Sequence, residues 1–210
     1  MEMNLPNRLS GKFIALDGPD GCGKSTQTVM LYDWLKGQGV QVVTFRDPGG
    51  TAVGEKIREI LLNPEHAEIS VRTELLLYMA SRAQLWAEKI APALKAGKCV
   101  VLDRWVTSTC AYQGFAGRFG AARVVEIAAA SLERVWPDLA IILDVDVETA
   151  AKRMNRALDR MEQKGKEYHK KVREGFLQLS NFNDNIVIVD ATKNIEQVHQ
   201  TVAGAVRQIK

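Results

Sequence analysis

The sequence predicts an α/β domain with a doubly wound, five-stranded parallel sheet flanked by helices. Three observations carry that class: five short and nearly unbroken apolar runs, helical periods in the gaps between them, and a glycine-rich turn joining the first run to the first helical segment. Strands are expected at 12–17, 40–46, 98–102, 139–145 and 186–190, each reading as a strand buried on both faces. Helices are expected at 24–37, 53–62, 70–95, 121–132, 147 to about 179 with an interruption, and 195–209. In the last of these, Ile195, Val198, Val202, Val206 and Ile209 recur at helical spacing, which makes a face that docks on a core. A chain of 210 residues suits one such domain spanning 1–210.

Composition excludes several function classes. The net charge is +3 with both signs spread along the chain, so there is no dense basic stripe for nucleic acid. Cys22, Cys99 and Cys110 are isolated, which argues against both a zinc site and a disulfide framework. Residues 1–11 hold no apolar segment of the secretory kind, and no run approaches the ~20 apolar residues of a membrane span. A cytoplasmic protein with no membrane partner is expected.

Residues 18–25 read Gly-Pro-Asp-Gly-Cys-Gly-Lys-Ser, a full match to G-x-x-x-x-G-K-[ST] between a strand and a helix. Glycines let the backbone aim successive N–H groups at one anion, and the following helix adds its positive end. Gly18, Pro19, Asp20, Gly21, Cys22, Gly23, Lys24, Ser25 and Thr26 are therefore expected to hold a nucleoside triphosphate, with Lys24 on the β and γ phosphates and Ser25 on Mg2+.

A second constellation, Val-Val-Leu-Asp103-Arg104, ends a buried strand in an acid and a guanidinium at the carboxyl edge, where ligands of open α/β sheets sit. Asp103 can hold Mg2+, directly or through water, and Arg104 can clamp a phosphate with its planar fork. Arg46-Asp47-Pro-Gly-Gly-Thr follows the second strand and suits either a close approach to a ligand or a plain turn. Tyr78 and Arg82 lie one helical turn apart, so a ring that stacks on a base and a donor to a base carbonyl can share a pocket. The same spacing serves a core tyrosine and a surface ion pair. Ser108 with Tyr112 and Thr109 with Gln113 are further i,i+4 pairs, suited to a base edge, a sugar or ordinary packing.

Taken together, G-x-D-G-x-G-K-S-T, F-R-D-P-G-G-T, L-L-L-Y-M-A-S-R-A-Q, D-R-W-x-x-S-T-x-A-Y-Q-G and L-D-V-D-x-E-x-A resemble the thymidylate kinase family over nearly the whole chain. The resemblance implies transfer of the γ-phosphoryl group of ATP to dTMP with Mg2+, on a P-loop-type five-stranded sheet, in a homodimer. It implies that Asp20 contacts the 3′-hydroxyl and that Arg104 clamps the dTMP phosphate. It further implies that Tyr78 stacks on thymine, Arg82 and Thr109 contact the base, and Tyr112 crowds out a 2′-hydroxyl. Two departures stand out: Tyr78 replaces the usual phenylalanine, and Asp47 replaces the usual glutamate, one methylene longer.

The acceptor chemistry needs no general base, because a phosphate monoester has a second pKa near ~6 and is largely ionised at neutral pH. Cations are needed instead. The phosphate loop carries no arginine, so a short helical lid at about 151–166 is expected to supply one from Arg153, Arg156 or Arg160, spaced to share one helical face. The family resemblance supports that lid through Leu158-Asp-Arg-Met-Glu162, with Ala151 and Asn155 standing where further arginines are expected. Lys24, Arg104, Arg153 and Arg156 are the expected catalytic cations. Two rival readings are another nucleoside monophosphate or deoxynucleoside kinase, and a GTPase-type switch. The switch is disfavoured because the late strand is followed by Asp190-Ala-Thr-Lys-Asn and not by N-K-x-D.

Overall fold

The five apolar runs pair as a wholly parallel sheet, and their hydrophobicity on both faces is met by helices on both sides. The computed structural model describes residues 4–155 and 157–209. In chain order the elements are α1 (Leu5–Leu9), β1 (Phe13–Asp17), α2 (Lys24–Gly37), β2 (Val42–Arg46), α3 (Ala52–Leu62), α4 (Val71–Leu85), α5 (Ala91–Lys95) and β3 (Cys99–Asp103). The second half adds α6 (Val106–Thr109), α7 (Ala121–Ser131), β4 (Leu139–Asp144), α8 (Val147–Arg153), α9 (Lys166–Leu179), β5 (Ile186–Asp190) and α10 (Ile195–Val206). The strand order is β2-β3-β1-β4-β5. Register sets Leu16 of β1 and Arg46 of β2 beside Asp103 of β3, so three strands deliver functional side chains to one carboxyl edge.

Successive strand residues point to opposite faces, and the core divides accordingly. Phe13, Ala15, Val100, Leu102, Ala140 and Ile142 face a layer built from α4, α7 and α9, while Ile14, Leu16, Val101, Ile141 and Leu143 face α2 and α10. Docking of α10 uses Val198, Val202 and Val206, in agreement with the periodicity, whereas Ile195 at its first turn is exposed. β1, β3 and β4 are buried along nearly their whole length. β2 and β5 are not: as edge strands they carry exposed or half-buried residues, which corrects the expectation of burial on both faces for these two.

Two segments depart from regular helix. The expected helix 70–95 runs as α4, a π-helical turn at Trp86–Ile90, and α5. Pro92 lacks an N–H and its ring crowds the carbonyl four residues back, so the turn before it widens. After α6, Cys110–Ala116 forms a second π-helical stretch, in which every residue but Phe115 is buried.

Candidate active site

The phosphate loop leaves β1 at Asp17 and re-enters helix at Lys24. Gly23 caps α2 at φ 95°, a left-handed conformation open to glycine, and no side chain caps the helix. Side chains cap α3, α4, α8 and α10, at Thr51, Ser70, Asp146 and Asn194, whereas α2, like α7 and α9, has none. α2 therefore keeps its first N–H groups free of side-chain acceptors, which is the arrangement that binds an anion. The Lys24 ammonium lies over this loop, donating to the Pro19 carbonyl at 2.8 Å and the Gly18 carbonyl at 3.1 Å, with Cys22 Sγ at 3.5 Å. Gly18 and Pro19 thus act through their carbonyls; the cavity wall itself begins at Asp20. Ser25 Oγ donates to Asp103 Oδ2 at 3.1 Å. A hydroxyl and a carboxylate beside a phosphate site are hard oxygen donors that suit magnesium.

A cavity of about 1000 Å³ extends from this loop across the carboxyl edge of the sheet. Against the loop stands Arg104, whose backbone is left-handed at φ 72°. Its Nη1 donates to the Gly18 carbonyl at 3.0 Å and Ser108 Oγ at 2.9 Å, its Nη2 donates to Asp20 Oδ1 at 2.5 Å, and its guanidinium lies 5.3 Å from the Tyr112 ring centre. The Tyr112 hydroxyl donates to Asp20 Oδ2 at 2.6 Å. Burial alone would raise the Asp20 carboxyl, but the charges of Arg104 and Lys24 and the Tyr112 hydroxyl outweigh it and hold the group at about 2.

Deeper in, Arg82 is 1% exposed and all five of its N–H groups have partners. Nε and Nη2 donate to Asp47 Oδ2, the former at 2.9 Å; Nη2 also reaches the Trp105 carbonyl at 3.2 Å. Nη1 meets Thr109 Oγ1 at 3.2 Å and Met79 Sδ at 3.5 Å. A thioether is a weak acceptor, so the Nη1 hydrogen on Met79 is the one a carbonyl in the cavity can capture most cheaply. Asp47, one methylene shorter than the glutamate usual at this position, is the counter-ion of Arg82. Burial pushes its carboxyl up against the pull of that arginine, and among the described residues its Oδ1 has no hydrogen-bond partner. Tyr78 lines the same wall, with its hydroxyl pushed upward by burial.

Residues 16–202 match the statistical model of a family described as thymidylate kinase. The chain belongs to the thymidylate kinase family. A protein named thymidylate kinase from Geobacillus sp. (strain WCH70) is 40% identical over 208 residues, covering 96% of this chain and 99% of that one. Thymidylate kinases from Caldanaerobacter subterraneus subsp. tengcongensis and Thermoanaerobacter sp. (strain X514) are each 43% identical over 202 residues, covering 95% of this chain and 97% and 99% of theirs.

Within this family member, Asp20, Arg46, Asp47, Tyr78, Arg82, Arg104, Ser108, Thr109, Tyr112 and Gln113 all line one cavity with Lys24, Ser25 and Asp103. The lid expectation needs correction. α8 ends at Arg153, and no helix continues through 157–159, so Arg153 and Arg160 do not share a helical face. Arg160 is buried, donating to Glu74 Oε1 at 2.7 Å and to the Leu61 carbonyl at 2.7 Å, which removes it as a mobile cation. Arg153 does line the cavity, and its Nη1 donates to the Ala191 carbonyl at 3.0 Å. Arg156 lies outside the described residues. Sequence reasoning missed Glu74, 1% exposed, which accepts from Gln113, Arg160 and Lys164 and so ties the Gln113 side of the cavity to the segment after α8. It also missed Arg58, which lines the cavity and holds the Pro48 carbonyl at 2.9 Å.

The low Asp20 pKa has a consequence for stability. A carboxyl depressed in the folded state contributes stability above its unfolded pKa, near ~4, and that contribution fades as pH falls toward about 2. Between pH 5 and pH 3 the parent should lose about 1 kcal/mol that the Asp20→Asn variant does not lose. Denaturant midpoints at the two pH values measure this, and parallel losses in parent and variant contradict it.

Proposed function

We propose that the protein transfers the γ-phosphoryl group of ATP to dTMP, giving dTDP and ADP. The observation that supports the reading is a single cavity that brings Arg104 beside the uncapped start of α2 and Lys24, so that cations are available to two phosphate groups. The attacking dTMP oxygen is already ionised, so the residues align two polyanions and offset charge. Lys24 leaves the loop carbonyls for the β and γ phosphates. Arg104 takes the dTMP phosphate, aided by the nearby charges of Arg46 and Arg58. Asp20, with lone pairs beyond those used by Arg104 and Tyr112, accepts from the 3′-hydroxyl, and Tyr112 crowds the 2′ position. Tyr78 stacks on thymine, while Arg82 Nη1 donates to its 4-carbonyl beside Thr109 and Gln113. Ser25 and Asp103 hold Mg2+, which when bound offsets charge on the donor phosphates. Arg153 is the lid cation, acting as charge spreads over the transferring group.

We further propose a cytoplasmic homodimer. Among the described residues, no helix is long and apolar enough to cross a membrane. Val53 and Ile60 on α3 and Leu76 on α4 are exposed apolar side chains, 50%, 41% and 59% exposed, on helices packed against each other. Sedimentation at micromolar concentration should return twice the 23.3 kDa chain mass; a species of one chain mass overturns the dimer.

A panel of deoxynucleoside monophosphates with ATP tests the activity. dTMP and dUMP should outperform dCMP by about 10²-fold or more in kcat/KM, because Arg82 suits a carbonyl and the 4-amino group of cytosine would face a donor. In the same assay Arg153→Ala should lower kcat more than it raises the KM for dTMP. Equal use of dCMP removes the base assignment, and an unchanged kcat removes Arg153 from the transition state.

A further inference from the structure

Asp17 is the last residue of β1, fully buried, and outside the cavity wall. Its two oxygens organise the loop that follows β3. Oδ2 accepts from the Trp105 backbone N–H at 3.1 Å and from the Thr107 hydroxyl; Oδ1 accepts from the Ser108 hydroxyl. Ser108 Oγ in turn accepts from Arg104 Nη1 at 2.9 Å. Between these contacts the backbone passes through the left-handed Arg104, whose N–H still bonds the Leu16 carbonyl at 2.9 Å. A non-glycine residue holds that conformation only where its surroundings impose it, and here Asp17 grips the next residue's N–H and, through Ser108, the guanidinium.

We infer that Asp17 is a positioning residue for the acceptor-phosphate clamp, fixing the direction of the Arg104 guanidinium through Ser108. The charge of Asp17 matters as well as its shape. A carboxylate draws on the Ser108 O–H and makes Oγ a better acceptor for Arg104, since hydrogen bonds in a chain polarise one another. It also has only acceptors to offer, matching the donors around it. An asparagine of the same size must turn its NH2 toward either Ser108 or the Trp105 N–H and Thr107 pair, so one arm of the grip is lost.

The inference rests on Arg104 holding the dTMP phosphate, and the experiment separates the two ideas. Binding of dTMP and of thymidine, which lacks the phosphate, is measured by calorimetry for the parent, Asp17→Asn, Ser108→Ala, the double variant and Arg104→Lys, alongside KM and kcat for dTMP. Asp17→Asn should weaken dTMP about tenfold and thymidine less than about twofold, with KM rising more than kcat falls. Ser108→Ala should do the same, and the double variant should be no weaker than the worse single one, because both act on one chain of contacts. Equal weakening of dTMP and thymidine by Asp17→Asn, no weakening of dTMP, or fully additive effects of the two changes overturns the inference. If Asp17→Asn does not fold, the selectivity of Ser108→Ala decides between the same outcomes. Arg104→Lys reports on the clamp itself. Selective loss of dTMP there, with none in Asp17→Asn, removes only the role of Asp17, whereas loss of thymidine and dTMP in equal measure removes the clamp.

Discussion

Arg104 sits in a left-handed backbone at the carboxyl end of β3, and its guanidinium bridges the phosphate loop, through the Gly18 carbonyl and Asp20, to the segment that follows β3, through Ser108 and Tyr112. Two anion sites must face one another at a distance short enough for phosphoryl transfer, and a single cation tied to both walls fixes that separation. Parallel pairing of β1 with β3 makes it possible, since register sets Leu16 beside Asp103 and so aligns the two loops that leave those strands. The rest of the site is arranged around this constraint.

Buried charge is the cost of such an arrangement, and the structure offsets it with counter-ions. Asp47 balances Arg82, Asp20 balances Arg104, and Glu74 balances Arg160 and Lys164. Removing one partner from a pair as buried as Arg82 with Asp47 costs about 3–5 kcal/mol, so these carboxylates hold guanidiniums in place as well as keeping them tolerable. Each pair also joins separate elements. Asp47 ties the turn after β2 to α4, and Glu74 ties α4 to the π-helical segment and to the chain beyond α8. The cavity therefore presents donors whose directions are already set, which is what the proposed alignment of a base and a phosphate requires.

Much of this was legible in the sequence where the signal is local. The phosphate loop is a contiguous pattern, and β1, β3 and β4 are apolar throughout because both their faces are covered. Residues 106–116 were not read as helix, since almost every side chain there is buried and no amphipathic period survives. The lid was misread for the opposite reason: arginines at 153 and 160 carry a helical period through a stretch where the backbone does not follow it. Arg160 reads as a lid cation in the sequence because its partner, Glu74, lies 86 residues earlier in a run that reads as apolar helix. Nothing local marks Asp17, since its partners lie 88 to 91 residues further on. Arg58 resembled any solvated charge on an amphipathic helix. Pairings across such separations leave no trace in spacing.

The central claim is electrostatic: the acceptor phosphate is held as a dianion by fixed cations, with no group needed to remove a proton. Phosphorus NMR of dTMP bound to the protein, followed as a function of pH, reads this directly. The second ionisation of a free phosphate monoester falls near ~6. Bound beside Arg104, with Arg46, Arg58 and Lys24 around the same cavity, it should fall by about one unit or more, so that the midpoint of the resonance shift lies at about pH 5 or below. A bound phosphate that titrates at its free value or above would contradict the account, because the clamp would then not favour the charged form that attacks.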